Sequence, residues 1–169
     1  MIGTAYVQMM ARYNAWQNAW LIDAVGSLSA HDLRADRGAF FGSVFGTLNH
    51  LLWGDQLWMS RFDGGPGPTT GIPHSGQTEK TLPTWKAARI RTDGRITNWA
   101  NTVRPAALRG DLKWYSGSMG RDVTQPTAMC ITHFFNHQTH HRGQIHAMLT
   151  AAGVKTSDTD LVFMSVEGA

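Results

Sequence analysis

The sequence predicts an all-α fold, a four-helix bundle with a long loop after its second helix and a short hairpin before its fourth. Four segments of about twenty residues carry apolar side chains at three- and four-residue spacing, which is the pattern of helices that bury one face. Glycine and proline mark the ends of these segments, and the connections between them differ widely in length. With 169 residues, no internal repeat and no boundary that would divide it, the chain is expected to form a single domain over residues 1–169.

The first two helices are defined by both periodicity and end signals. Residues 4–25 form the first helix, in which aromatic and methionine side chains recur at helical spacing. Ser43 is placed to cap the second helix, an apolar segment that extends to Phe62. The glycines and prolines of residues 63–68 end that helix and begin a loop that reaches about residue 82. A loop of this length in a compact domain is expected to be functional or mobile.

The second half of the chain contains the hairpin and the other two helices. Pro83 is expected to open the third helix, residues 84–103, because proline suits the first helical turn. Residues 108–123 contain a Gly-Ser-Met-Gly turn between two short segments and predict a hairpin. Residues 126–152 form the fourth helix, which begins at a proline and stops before Gly153.

The fourth helix concentrates histidine, because five of the eight histidines of the chain fall within residues 132–146. At about 100° per residue, His133, His137 and His141 follow one another along one face of the helix. Two imidazoles four residues apart can hold one cation on a regular helix, and this is the spacing of the zincin signature. Gln138 stands where that signature has its glutamate, and an amide cannot act as a general base. The pattern therefore predicts a metal site and excludes a metalloprotease.

A third ligand has to come from elsewhere, because zinc and its neighbours take three or four ligands. His50 is the candidate, since it lies in the middle of the otherwise apolar second helix. The alternative interpretation is a buried histidine hydrogen-bonded to a neighbouring helix. Three neutral imidazoles and a water would form an open zinc or nickel site. Asp55 and Gln144 lie near this site in sequence and are expected to support its ligands, although Asp55, about 140° around the helix from His50, should not touch that ligand.

Composition and charge exclude several classes of protein. Cys130 is the single cysteine, which excludes a disulfide framework and indicates a reducing cytoplasmic location. The net charge of +3 comes with scattered basic residues, which argues against a nucleic-acid partner. Glu79 and Glu167 are the only glutamates, too few for a carboxylate-bridged di-iron bundle. No segment is long and apolar enough to span a membrane, and the N-terminus lacks the features of a signal peptide.

Two motifs resemble those of a known family. Residues 46–55 read Gly-Thr-Leu-Asn-His-Leu-Leu-Trp-Gly-Asp, and residues 133–144 end in His-His-Arg-Gly-Gln. Together they look like the DinB/YfiT-like family of bacterial metal-binding four-helix bundles. The resemblance covers nearly the whole chain, including the opening at residues 11–16 and the Asp-Leu pair at 160–161.

The resemblance implies a set of metal ligands and their surroundings. By position in the motifs, the metal triad maps onto His50, His137 and His141, and Ni²⁺ or Zn²⁺ is the common occupant in the family. His133 and His140 belong to the motif without being usual ligands, so we assign them to packing or to the shell around the ligands. The family also implies a homodimer, and its name does not imply DNA binding.

Three functions are compatible with these observations. Relatives of the fold include thiol-dependent S-transferases and a mycothiol-dependent maleylpyruvate isomerase, so the resemblance implies an enzyme whose metal activates a low-molecular-weight thiol or water. The alternative is a family member that binds a metal or small ligand without turnover. A third hypothesis is a non-covalent haem bundle that uses a histidine and a methionine such as Met148. In each case the expected partner is a small molecule.

Overall fold

A computed structural model describes residues 2–165 and shows a mostly helical chain with one small sheet. The α-helices in this range are α1 (Thr4–Gly26), α2 (Ala30–Arg34), α3 (Val44–Asp63), α4 (Leu82–Thr102) and α5 (Thr127–Ala151). Short 3-10 helices cover Ile72–Gln77, Pro105–Leu108 and Leu161–Phe163. Strands β1 (Asp111–Ser116) and β2 (Arg121–Pro126) pair antiparallel and form the predicted hairpin. The all-α fold class is confirmed. None of the described helices is long and apolar enough to cross a membrane.

The helices begin and end where local signals direct them. Ser43 caps α3 by accepting a hydrogen bond from the backbone N–H three residues later, and Gly64 ends this helix with a φ of 71°. That left-handed conformation is one that glycine adopts without strain. Thr81 caps α4 in the same way, so Pro83 occupies the second helical position rather than the first. Pro126 is likewise the capping residue of α5 and not its first helical residue.

The four long helices form the bundle, and α2 packs against the outside of α3. Each long helix packs against two others, in the ring order α1, α4, α3, α5. Helices α3 and α5 are therefore neighbours although the loop, α4 and the hairpin separate them in sequence. This adjacency places the second histidine-bearing motif beside the first.

The core consists of two apolar clusters, one toward each end of the bundle. One cluster contains Trp85 and Leu149, and the other contains Ile96 and Phe134. Along each long helix, buried polar side chains lie between the residues of one cluster and those of the other. These polar residues are Asn14, Asn18, Asp55, Arg89, Gln138 and Arg142. We call this group the polar layer. Its hydrogen bonds and ion pairs connect all four long helices to one another.

Candidate metal centre

Three histidines meet where α3 packs against α5. One ring nitrogen from each of His50, His137 and His141 lies within 4.8 Å of those from the other two. The Nε2 atoms of His50 and His137 are 3.2 Å apart. His50 and His141 are only 6% and 7% exposed. Among the described residues, this is the one group of three or more histidine, cysteine or acidic side chains that could hold a metal ion.

The geometry and protonation of these rings fit a divalent cation. Zinc–nitrogen bonds of about 2.0–2.1 Å place two ligand nitrogens roughly 3.3 Å apart on the edge of a tetrahedron, and the 3.2 Å between the His50 and His137 nitrogens matches this edge. Burial, reinforced by neighbouring imidazoles, lowers the pKa of His50 to about 4 and that of His137 to about 3. Burial also lowers the pKa of His141. All three rings are therefore neutral at pH 7, as metal ligands must be.

Two of the three rings have a polar partner on their Nδ1 atom. The Nδ1 of His50 lies 2.8 Å from the Ser75 hydroxyl, and the Nδ1 of His141 lies 2.8 Å from the amide oxygen of Gln144. The Gln144 amide nitrogen donates a hydrogen bond to the Nε2 of His140, at a distance of 3.1 Å. Because the Gln144 oxygen can only accept, His141 carries its hydrogen on Nδ1 and keeps the lone pair of Nε2 free for a cation.

Asp55, which we expected to support the ligands, makes its hydrogen bonds to other side chains. Its two carboxylate oxygens accept hydrogen bonds from Gln138 at 3.0 Å and from Arg89 at 2.6 Å, within the polar layer. The reason is helical geometry, because five residues along α3 turn a side chain to a different face from that of His50. Asp55 therefore contributes to packing of the bundle interior.

Sequence reasoning missed three residues that shape the site. Phe41 stacks on His50, with ring centroids 3.8 Å apart and an interplanar angle of 18°. Ser75 comes from the 3-10 helix of the long loop, which packs on α3 and thereby covers His50. Gly54 leaves room for the ring of His137. The unusual length of the loop indicated that the loop could be functional but did not single out Ser75, and nothing in a single sequence placed Phe41 or Gly54 beside a histidine.

Gly54→Ala is expected to weaken metal binding by displacing His137. A Cβ atom at position 54 would lie 2.7 Å from the Cε1 of His137, so the imidazole has to move. We expect the Kd for Zn²⁺ to rise roughly ten-fold, as for other changes that disturb ligand orientation. Competition with a chromophoric chelator measures this Kd.

Gly94→Ala is the matched control for that substitution. A Cβ atom at Gly94, in the middle of α4, would meet nothing within 4 Å. The control should keep the zinc Kd of the unmodified protein and gain about 0.5–1 kcal/mol of stability from helix propensity. An unchanged Kd in Gly54→Ala would show that His137 does not bind zinc from the position seen here.

Metal binding should persist below the ordinary histidine pKa of about 6.5. With the pKa of His50 at about 4, that of His137 at about 3 and that of His141 also lowered by burial, protons compete for the folded site below the ordinary histidine value. The unfolded chain takes up the same protons near pH 6.5, so the metal-free fold should lose stability as the pH falls from about 6.5 to about 4. Calorimetric titrations should give a zinc Kd that changes less than about three-fold between pH 7 and pH 5.5. A steep rise already at pH 6.5 would contradict this.

A cavity of about 710 Å³ adjoins the cluster, and His50 and His137 form part of its wall. Its other walls are the covering loop and the hairpin, so the predicted hairpin contributes to the site. His133 lines the cavity one helical turn before His137 and packs edge-on against Trp58, with ring centroids 5.1 Å apart. The volume is that of a typical small-molecule pocket.

Comparison with known proteins identifies the family of this chain. The DinB family model matches residues 1–167. Protein DinB of Bacillus subtilis (strain 168) is 26% identical over 152 residues, which cover 88% of this chain and 87% of that protein. The family match includes every residue of the candidate metal centre. The chain belongs to the DinB family.

Proposed function

We propose that this protein binds a divalent metal ion, zinc or nickel, and is an enzyme of the thiol-transferase or hydrolase type. His50, His137 and His141 would hold the ion. The observation that carries the proposal is that three neutral imidazoles converge and that two of them, those of His50 and His137, line a cavity large enough for a substrate. Three protein ligands leave a coordination position for a reacting molecule.

The cation would supply the activation that the chain lacks. A bound divalent cation lowers the pKa of a coordinated thiol or water, so that a nucleophile forms near neutral pH. Gln138, beside the ligand His137, cannot serve as a general base, and its amide nitrogen is engaged with Asp55 at 3.0 Å. The chain orients the ligand imidazoles, through Ser75 on His50 and Gln144 on His141.

In the transferase reaction, a sulfur–carbon bond forms, the bond to the leaving group breaks and the thiol proton is released. His133 lines the cavity outside the triad and is available to accept that proton. Burial and the neighbouring Arg61 lower the pKa of His133, which keeps its ring neutral. Trp53 and Trp58 provide apolar walls that limit access of water to the reacting centre.

Metal analysis combined with turnover assays tests the proposal. Protein purified without an affinity tag is loaded with zinc or nickel, and its metal content is measured. Thiol-dependent loss of an aryl chloride and hydrolysis of an aryl ester are then followed with the loaded protein. We expect turnover that needs the metal, that His141→Ala abolishes and that His74→Ala, in the exposed part of the loop, retains. Stoichiometric metal without turnover of either substrate would favour the alternative, a protein that binds a metal or small ligand without catalysis.

A further inference from the structure

The cavity extends along α3 from His50 as far as Arg61. His50 and Arg61 both line it, and eleven residues of helix separate their α-carbons by about 16 Å. Side chains on a helix lean toward its N-terminus, so the Arg61 guanidinium reaches back toward the histidine end. The cavity therefore has two of the candidate ligands, His50 and His137, at one end and one guanidinium toward the other.

Two indole rings hold Arg61 in place. Its guanidinium carbon lies 4.5 Å from the ring centroid of Trp58 on α3 and 4.9 Å from that of Trp114 on β1. The two indoles pack edge-to-face on each other, with centroids 5.6 Å apart. These contacts restrict the rotamers of a long side chain before any ligand arrives. The guanidinium is thus preorganised.

Arg61 has no carboxylate partner within residues 2–165, where it forms neither a hydrogen bond nor an ion pair. Arg89 and Arg95 each pair with aspartate in the same structure. Burial lowers the pKa of Arg61, yet arginine stays charged at neutral pH. A partly buried charge with unused donors favours an anion from outside the chain.

We propose that Arg61, Trp58 and Trp114 form a subsite for the carboxylate of a small substrate whose reacting end lies at the histidines. The reference to a reacting end rests on the proposed function. Of the described residues that line the cavity, Arg61 alone carries a permanent charge, and none is acidic. One positive charge with a planar fork of donors matches a monocarboxylate better than a phosphate dianion. The indoles offer an apolar surface to the body of the same molecule.

Tryptophan fluorescence can report binding directly, because Trp53, Trp58 and Trp114 all line the cavity. We titrate the metal-loaded protein with 3-phenylpropionate and with its neutral amide. The carboxylate should bind about ten-fold more tightly than the amide, which is the affinity ratio expected from one charge-assisted hydrogen-bond pair. Arg61→Gln should bring the two affinities within about two-fold of each other. A wild-type preference below about two-fold, or no saturable fluorescence change, overturns the proposal.

Arg34→Gln is the matched control, because Arg34 also stacks on an aromatic ring, Phe45 at 4.5 Å, but lies outside this cavity. It should retain the full preference for the carboxylate. If Arg61→Gln does not fold, Arg61→Lys decides the question. Lysine keeps the charge without the fork, so the preference should fall a few-fold, and an unchanged preference would count against the subsite.

His141→Ala separates this subsite from the metal centre. If the carboxylate binds to the cation instead, His141→Ala should lose the preference for the carboxylate over the amide and Arg61→Gln should keep it. That pair of results would exclude Arg61 as the residue that binds the carboxylate. A preference that survives in His141→Ala supports the subsite even if the protein proves to have no metal-dependent activity. Repeating the titrations with 3-mercaptopropionate and its amide shows whether the carboxylate belongs to the thiol or to the second substrate.

Discussion

His141→Ala is expected to raise the Kd for Zn²⁺ by roughly 100-fold or more. His141 is one of three imidazoles whose ligand atoms lie within 4.8 Å of one another, and its Nδ1 is oriented by Gln144. Loss of an oriented ligand should weaken metal binding more than the loss of a contact that supports a ligand, which typically lowers metal affinity by about 10- to 100-fold. Competition with a chromophoric chelator measures the Kd.

The same variant should lose the stabilisation that metal provides. An ion that binds only the folded chain stabilises it by about 2.7 kcal/mol at a hundred-fold excess over Kd. A chelator at about pH 8 should therefore lower the Tm of the loaded wild-type protein and leave that of His141→Ala unchanged. His74→Ala, exposed in the covering loop, should behave as wild type. Equal melting temperatures for loaded wild-type protein with and without chelator would mean that the bundle does not depend on its metal, and the enzyme proposal would lose its main support.

Arg89→Met is expected to destabilise the protein by about 3–5 kcal/mol, the cost of removing one partner of a buried ion pair. Arg89 contacts Asp55 at 2.6 Å and Asp93 at 2.8 Å, and the side chains of Arg89 and Asp55 are 0% exposed. Burial raises the pKa of Asp55, so without Arg89 this carboxyl should take up a proton, which limits the loss. Urea unfolding measures the free energy, and the Tm should fall by about 10 °C.

Arg95→Met provides the control at a more exposed ion pair. Arg95 and Asp63 are 2.6 Å apart, with side chains 23% and 26% exposed. Solvent screens such a pair, and its loss should cost less than about 1 kcal/mol. If Arg89→Met costs no more than Arg95→Met, the polar layer does not hold the helices together as described. Asp55→Asn should leave the zinc Kd unchanged, since Asp55 bonds to Gln138 and Arg89 rather than to a ligand histidine.

The sequence by itself determined the fold class, the helix positions and the candidate ligands. Each depends on interactions that are local in the chain. Ser43 caps the helix that follows it by accepting a hydrogen bond from a backbone N–H only three residues away. Gly64 ends the same helix by its own backbone conformation. His137 and His141 share a helical face because they are four residues apart, whatever surrounds them. His50 could be added because it was a histidine in the middle of an apolar helix.

Tertiary structure alone decided what surrounds those ligands. The sequence did not indicate that the loop would bring Ser75 to His50, that Gly54 would face the ring of His137, or that Asp55 would pair with Arg89. The lowered histidine pKa values likewise come from burial between two helices that are distant in the chain. Arg61 acquires its aromatic partner Trp114 only when the hairpin closes the cavity. These features depend on which elements pack together. The spacing of residues along the sequence does not predict that packing, because each of these contacts joins residues that are far apart in the chain.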